Sequence, residues 1–206
     1  MSRAELAYAQ ARLQARYGAR PGESTWRRLR ASASLPHFLE AARASELRPW
    51  LTAIHARSRA DEIEQALQRA FAAEVREVAS WLPEAWRPAF DFVLDSGTRQ
   101  FGDAWLKEFR ATWPRMQRQD RDGLQRFTDA LLVHHQRMAN CPETSDGWEI
   151  RAGLERETVR RFRLHAERPT AAFCFLALVL LDLERLRGAL LRRLLFADVG
   201  SEGSWV

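Results

Sequence analysis

Thr170 to Phe196 reads TAAFCFLALVLLDLERLRGALLRRLLF, and this stretch decides the fold. Its front part, Ala171 to Leu181, is 11 apolar residues that run straight into Asp182, Glu184, Arg185 and Arg187. A membrane span needs about 20 apolar residues, so the segment reads as a buried core helix. Phe175, Leu176, Val179, Leu180, Leu183, Leu186, Leu190 and Leu194 stay on or beside one helical face for about five turns, which predicts that they form the main core.

Upstream, the same 3.6-residue period recurs and no run alternates like a strand. Trp148 to Ala166 pairs with the last helix and turns Ile150, Leu154, Phe162 and His165 inward. The stretch Asn140 to Gly147 (NCPETSDG) is the most loop-like in the chain and separates a larger helical part, 1–140, from a C-terminal helical pair, 148–206. Leu124, Phe127, Leu131 and Met138 predict a helix from Asp122 to Ala139, and Phe101, Trp105 and Phe109 recur every four residues as a core row. Ser58, with Asp61 three residues on, predicts a capped helix running to Trp81 or Leu82. Ser24, Ser34 and Ser45 read as starts of shorter helices, and Arg3 to Tyr17 carries Leu6, Ala9, Leu13 and Tyr17 on one stripe. The fold expected is all-α: an irregular bundle of about eight to ten helices, as one compact unit or two packed ones.

Composition bounds the function. At 206 residues with 46% hydrophobic and 29% charged residues, the chain is neither collagenous, low-complexity nor a disulfide miniprotein. Cys141 and Cys174 lie far apart without a CxxC, which points to a reducing, cytoplasmic compartment. The first thirty residues are charged throughout and lack an apolar signal core, so export by that route is not expected. Arginine supplies 31 of the 32 basic residues, the exception being Lys107, and the formal net charge is +5. The arginines alternate with 27 acids at helical spacing, which reads as solvated helix faces and argues against nucleic acid. A module for nucleic acid or an acidic protein would need the arginines of Ala11 to Arg30 and Arg110 to Arg121 to converge on one face.

No pattern specifies a metal, a cofactor or a catalyst. His134 and His135 are adjacent and point about 100° apart on a helix, so one is expected inside and one outside, and joint ligation is awkward. A helical enzyme would need one of them beside an acid such as Asp129 in a pocket, and a Cys141 nucleophile would need a neighbouring histidine. Phosphate-loop and dinucleotide glycine patterns do not occur. The eight tryptophans, five of them near prolines, read mostly as plugs at helix junctions.

The stretches LAYAQARLQARYG and ESTWRRLRASASLPHFLEAARAS resemble the opening of the C subunit of archaeal and bacterial V-type ATP synthases, the counterpart of the d subunit of the eukaryotic enzymes. Tyr8, Ala11, Arg12, Leu29, Phe38 and Leu39 carry the match, and near the other end Asp182, Leu186 and Arg187 of LVLLDLERLRGALL resemble a recurring helix of that family. The chain is shorter than the family's members, and Glu184-Arg185 stands where a polar residue and asparagine are usual. The resemblance implies a non-catalytic, cofactor-free linker that sits on the membrane rotor ring and receives the central stalk, without binding nucleotide. It places the chain in the cytoplasm, at the inner face of the cell membrane through its complex. Tyr8, Arg12, Asp182 and Arg187 are then structural or interface positions.

Overall fold

A computed structural model describes residues 3–95, 101–141 and 144–196. These residues are all-α, with no strand among them: α1 (Arg3–Gly18), α2 (Glu23–Arg30), α3 (Leu35–Arg43), α4 (Ala60–Trp81), α5 (Arg87–Asp95), α6 (Asp103–Ala111), α7 (Arg118–Ala139), α8 (Thr144–Leu164) and α9 (Pro169–Leu195). Two short 3-10 turns, Arg48–Leu51 and Glu84–Trp86, complete the described elements. The segment expected to start a helix at Ser45 is only the first of these turns, although Leu47, Trp50, Leu51 and Ile54 are all buried as its pattern requires.

Helix starts depart from the serine reading in instructive ways. At α4, Ser58 spends its hydroxyl on the His55 N–H, and Glu62 accepts from the Arg59 N–H at 2.9 Å. The return half of a capping box is therefore made by Glu62, and Asp61 instead meets the Arg59 guanidinium. At α2 the cap is Gly22, two residues ahead of Ser24. Ser34 does occupy the cap of α3, but its hydroxyl pairs with His37 Nδ1 at 2.9 Å. Helix α8 begins at Thr144, earlier than the turn-rich composition of its first residues suggests.

The chain divides into two compact units. Unit 1 comprises Met1–Ala15 and Glu74–Leu178, unit 2 comprises Arg16–Ala73 and Val179–Val206, and the divisions fall inside α1, α4 and α9. In unit 1, α7 and α8 pack along each other, and aromatic rings fill the space beside them. Phe90 stacks on Phe173 at 5.0 Å, and Phe173 meets Trp86 and Phe109 edge-on or tilted. Phe101, Trp105, Phe109 and Trp113 form a continuous row of contacts at 5.1–5.7 Å. Of this row only Phe109 is buried, and Phe101, Trp105 and Trp113 are half-buried, so it lines the margin of the core and is held by ring contacts as much as by burial.

Two backbone features shape unit 1. The turn between α8 and α9 places Glu167 at φ 61°, a left-handed conformation costing a non-glycine residue about 1 kcal/mol. Its N–H donates to the Gln10 side-chain oxygen at 3.0 Å, which fixes the turn. Gly123 on α7 lies so close to His165 that a Cβ there would sit 2.8 Å from the imidazole Cε1.

In unit 2, Leu29, Phe38, Leu39, Leu47, Leu51 and Ile54 are almost wholly buried, as are Leu186 and Leu190 of α9. Of the expected apolar face, Leu194 is only half-buried and Leu180 is 42% exposed. Leu180 begins the solvent stripe that continues one and two turns later through Glu184 and Arg187. No helix among the described residues is long and apolar enough to cross a membrane.

Truncating Leu190 to alanine should lower stability by about 2 to 5 kcal/mol, because the cavity cannot close fully. Leu180→Ala should cost less than about 0.5 kcal/mol, as a surface change does. Urea denaturation of both variants tests the contrast, and equal costs would place the core face of α9 elsewhere.

Candidate functional site

Unit 2 gathers charge around two helices that are distant in sequence. Asp182 is 4% exposed in the most apolar helix of the chain, and Arg20 donates to it through Nε at 2.7 Å. A buried carboxylate is tolerated only with such partners, since desolvating a lone ion costs several kcal/mol. Arg20 also lies 5.6 Å from the Tyr17 ring centroid.

Beside this pair, Glu23 at the start of α2 is clamped by Arg185 of α9 at 3.0 Å and Arg30 at 2.6 Å. Burial pulls the Glu23 carboxyl upward, but Arg185 and Arg30 outweigh it and hold it below its ordinary value. The Arg185 guanidinium covers the Trp26 ring at 4.6 Å. Farther along, Arg193 donates to the carbonyls of Leu29 and Ser32 at 3.0 and 2.9 Å and lies over Phe38 at 4.4 Å. It thereby adds a second donor to the Leu29 carbonyl, which already accepts from the Ser32 N–H at 3.2 Å, and gives the Ser32 carbonyl just beyond α2 a partner. Burial, together with adjacent Arg192, lowers its pKa. These contacts set α2 and α9 side by side and parallel, with Glu23 and Trp26 against Arg185 and Leu29 and Ser32 against Arg193.

The four motif residues fall in both units. In unit 1, Tyr8 is 57% exposed, and Arg12, one turn on, lies over the Trp81 ring at 5.2 Å with Glu77 at 3.8 Å. In unit 2, Asp182 points inward while Arg187 lies on the surface and pairs with Glu64. Arg20, Glu23, Arg185 and Arg193 are functional-site candidates that the sequence did not mark. Their partners lie some 160 residues away, and no local spacing announces such a contact.

The residues considered for chemistry are otherwise engaged. Both His134 and His135 are half-buried, rather than one inside and one outside. His134 is lowered by burial and then by Arg151, and His135 meets Phe101 edge-on at 5.3 Å. Asp129 pairs with Arg110, which also reaches the Thr128 hydroxyl. Burial pushes the Cys174 thiol far up. Among the described residues, no three His, Cys, Asp or Glu side chains could hold a metal ion. A crevice of unit 1 lined by Leu6, Gln10, Leu82 and Pro169 has a free volume of about 10 Å³, room for at most one water.

Comparison with protein-family models, with curated proteins and with solved structures finds no match to this chain.

His165, 7% exposed against Gly123, is lowered by burial and then by Arg168, Arg161 and Arg126, with Asp120 opposing. The folded protein therefore favours the neutral ring, and its stability is complete above the unfolded pKa of about 6.5 and is lost as pH falls through the folded value. His134 acts in the same sense. Urea midpoints should drop between about pH 7.5 and about pH 5, and His165→Gln should flatten the drop. A midpoint that rises on acidification would contradict this assignment.

Asp182→Ala should destabilise the protein by about 3 to 5 kcal/mol, because it strands Arg20 in a buried site. Arg187→Ala removes an exposed pair and should cost about 0 to 1 kcal/mol. Equal losses in thermal or urea unfolding would refute the distinction.

Proposed function

We propose that the protein is a non-catalytic helical linker subunit of a V-type rotary ATPase or ATP synthase, coupling the central stalk to the membrane rotor. One observation carries this reading: the second of the front stretches, residues 23–45, and the stretch near the other end contribute to one unit. Leu29, Phe38 and Leu39 from the front and Asp182 and Leu186 from the back are all buried in unit 2. The Glu23–Arg185 ion pair, at 3.0 Å, joins the two stretches directly. Family-like positions that sit in one packed cluster support a shared structural role better than isolated surface matches would.

In this reading Tyr8 and Arg12 offer an exposed helix face to a neighbouring protein of the complex, whereas Asp182 holds unit 2 together. The protein contributes shape and stiffness and performs no bond chemistry. Its partners are protein subunits, and any membrane association is indirect.

Purification of the tagged chain from its own cells after mild detergent extraction tests the proposal. Central-stalk and rotor-ring subunits of a rotary ATPase should co-purify. A partnerless monomer that binds or turns over a small metabolite at about micromolar affinity would overturn it and favour a helical enzyme.

A further inference from the structure

The formal charge is unevenly divided. Unit 2 holds fourteen arginines against ten acids, whereas unit 1 holds eighteen cations against seventeen acids. Within unit 2 the excess gathers where α2 and α9 run side by side. Glu23, Arg27 and Arg30 share one stripe of α2, and Arg185, Gly188 and Arg192 share one stripe of α9. Arg185 and Arg30 both reach Glu23, which ties the start of α2 to α9. Among the described residues, neither Arg27 nor Arg192 pairs with an acid, and both are exposed. Between Arg185 and Arg192, a Cβ added at Gly188 would meet nothing within 4 Å.

We propose that this double row of Arg27, Arg30, Arg185 and Arg192, with the open surface at Gly188 beside it, docks an acidic α-helix of a protein partner. Arg185 and Arg192 stand two turns apart, about 10 Å, which matches carboxylates at the same spacing on a facing helix. The exposed glycine between Arg185 and Arg192 lets the backbone of a partner helix come near. Arg27 and Arg192 offer forked donors to a partner's carboxylates, whereas Arg30 and Arg185 share theirs with Glu23. Glu23 closes one end of the row, which limits an acidic helix in length but opposes a phosphate backbone that continues past it. Trp26 is buried beneath Arg185, so the row presents no aromatic ring on which a base could stack. The proposal stands on charge and geometry alone and does not rest on the linker reading.

The test uses the full chain and a fluorescent, alanine-rich peptide of about 20 residues with glutamates one and two turns apart, followed by anisotropy. The glutamate peptide should bind with an affinity that falls as salt rises, and its glutamine counterpart should not bind. Arg27→Glu with Arg192→Glu should weaken binding by about tenfold or more, since repulsion replaces attraction at two contacts. Arg76→Glu with Arg156→Glu, an equal change of charge on unit 1, should leave binding within about twofold. Gly188→Trp keeps the charge and covers the open surface beside the row, and should also abolish binding while helicity by circular dichroism is unchanged. Equal loss in both charge-reversal pairs, or full binding by Gly188→Trp, would reduce the effect to net charge and overturn the site. Tighter, row-dependent binding to phosphatidylserine vesicles or to a single-stranded oligonucleotide would overturn the assignment of an acidic helix. Failure of rotary-ATPase proteins to co-purify leaves this test untouched, so the two readings fail separately.

Discussion

Asp182 has to be answered for before the rest of unit 2 can form. It lies in the most apolar helix of the chain, where an uncompensated carboxylate would be intolerable, and Arg20 reaches it from just beyond the end of α1. Bringing Arg20 to that point fixes where the chain turns into α2. It also sets Glu23 beside Arg185 and lays Trp26 under the same guanidinium. Arg193 then finishes what the pair begins, by donating to the carbonyls that Leu29 and Ser32 present. A buried pair of this kind need not add net stability compared with an apolar replacement. Its effect is to admit one register of α2 against α9 and penalise the others.

Arginine serves two roles here that composition alone merges. Arg20 and Arg193 are interior groups whose forked donors reach carboxylate or backbone oxygens with stacking on a ring nearby. Arg59, Arg118 and Arg160 form exposed local pairs with acids a few residues away, contacts that contribute little to stability. The row on α2 and α9 belongs to neither group, because its cations outnumber the acids within reach. The reading of dispersed, solvated charge therefore describes most of the chain and misses this one place, where convergence comes from tertiary packing.

The long helices are legible in the sequence because their signals are repeated many times. Ile63, Leu67, Val75 and Val78 of α4, and Leu183, Leu186 and Leu190 of α9, restate one face on turn after turn, and all are buried. Single-residue signals are less dependable. A serine can cap, bond a neighbouring backbone N–H or pair with a histidine, and Ser58 and Ser34 take the latter courses. Leu180 misleads because apolar character continues around the helix at that turn, and only Glu184 and Arg187 beyond it reveal the solvent side. Of the candidate site, Asp182 and Arg187 can be named from a short motif, but the arginine that meets Asp182 cannot. Sequence spacing carries information over one or two turns, and this contact spans almost the whole chain.

The discontinuity of unit 2 has a consequence for how the protein is made. Helix α2 has 8 residues, too few to hold together alone in water, and Arg193 donates to the carbonyl of its Leu29. That arginine leaves the ribosome more than 160 residues after α2 does, at synthesis rates of about 5 to 20 residues per second. For roughly ten seconds or more, the front of the chain carries Trp26, Leu29, Phe38 and Leu39 without the helix that covers them. Closure of unit 2 thus waits for α9 to be translated, and a nascent chain released before α9 is finished exposes this apolar surface for chaperones and proteases to find.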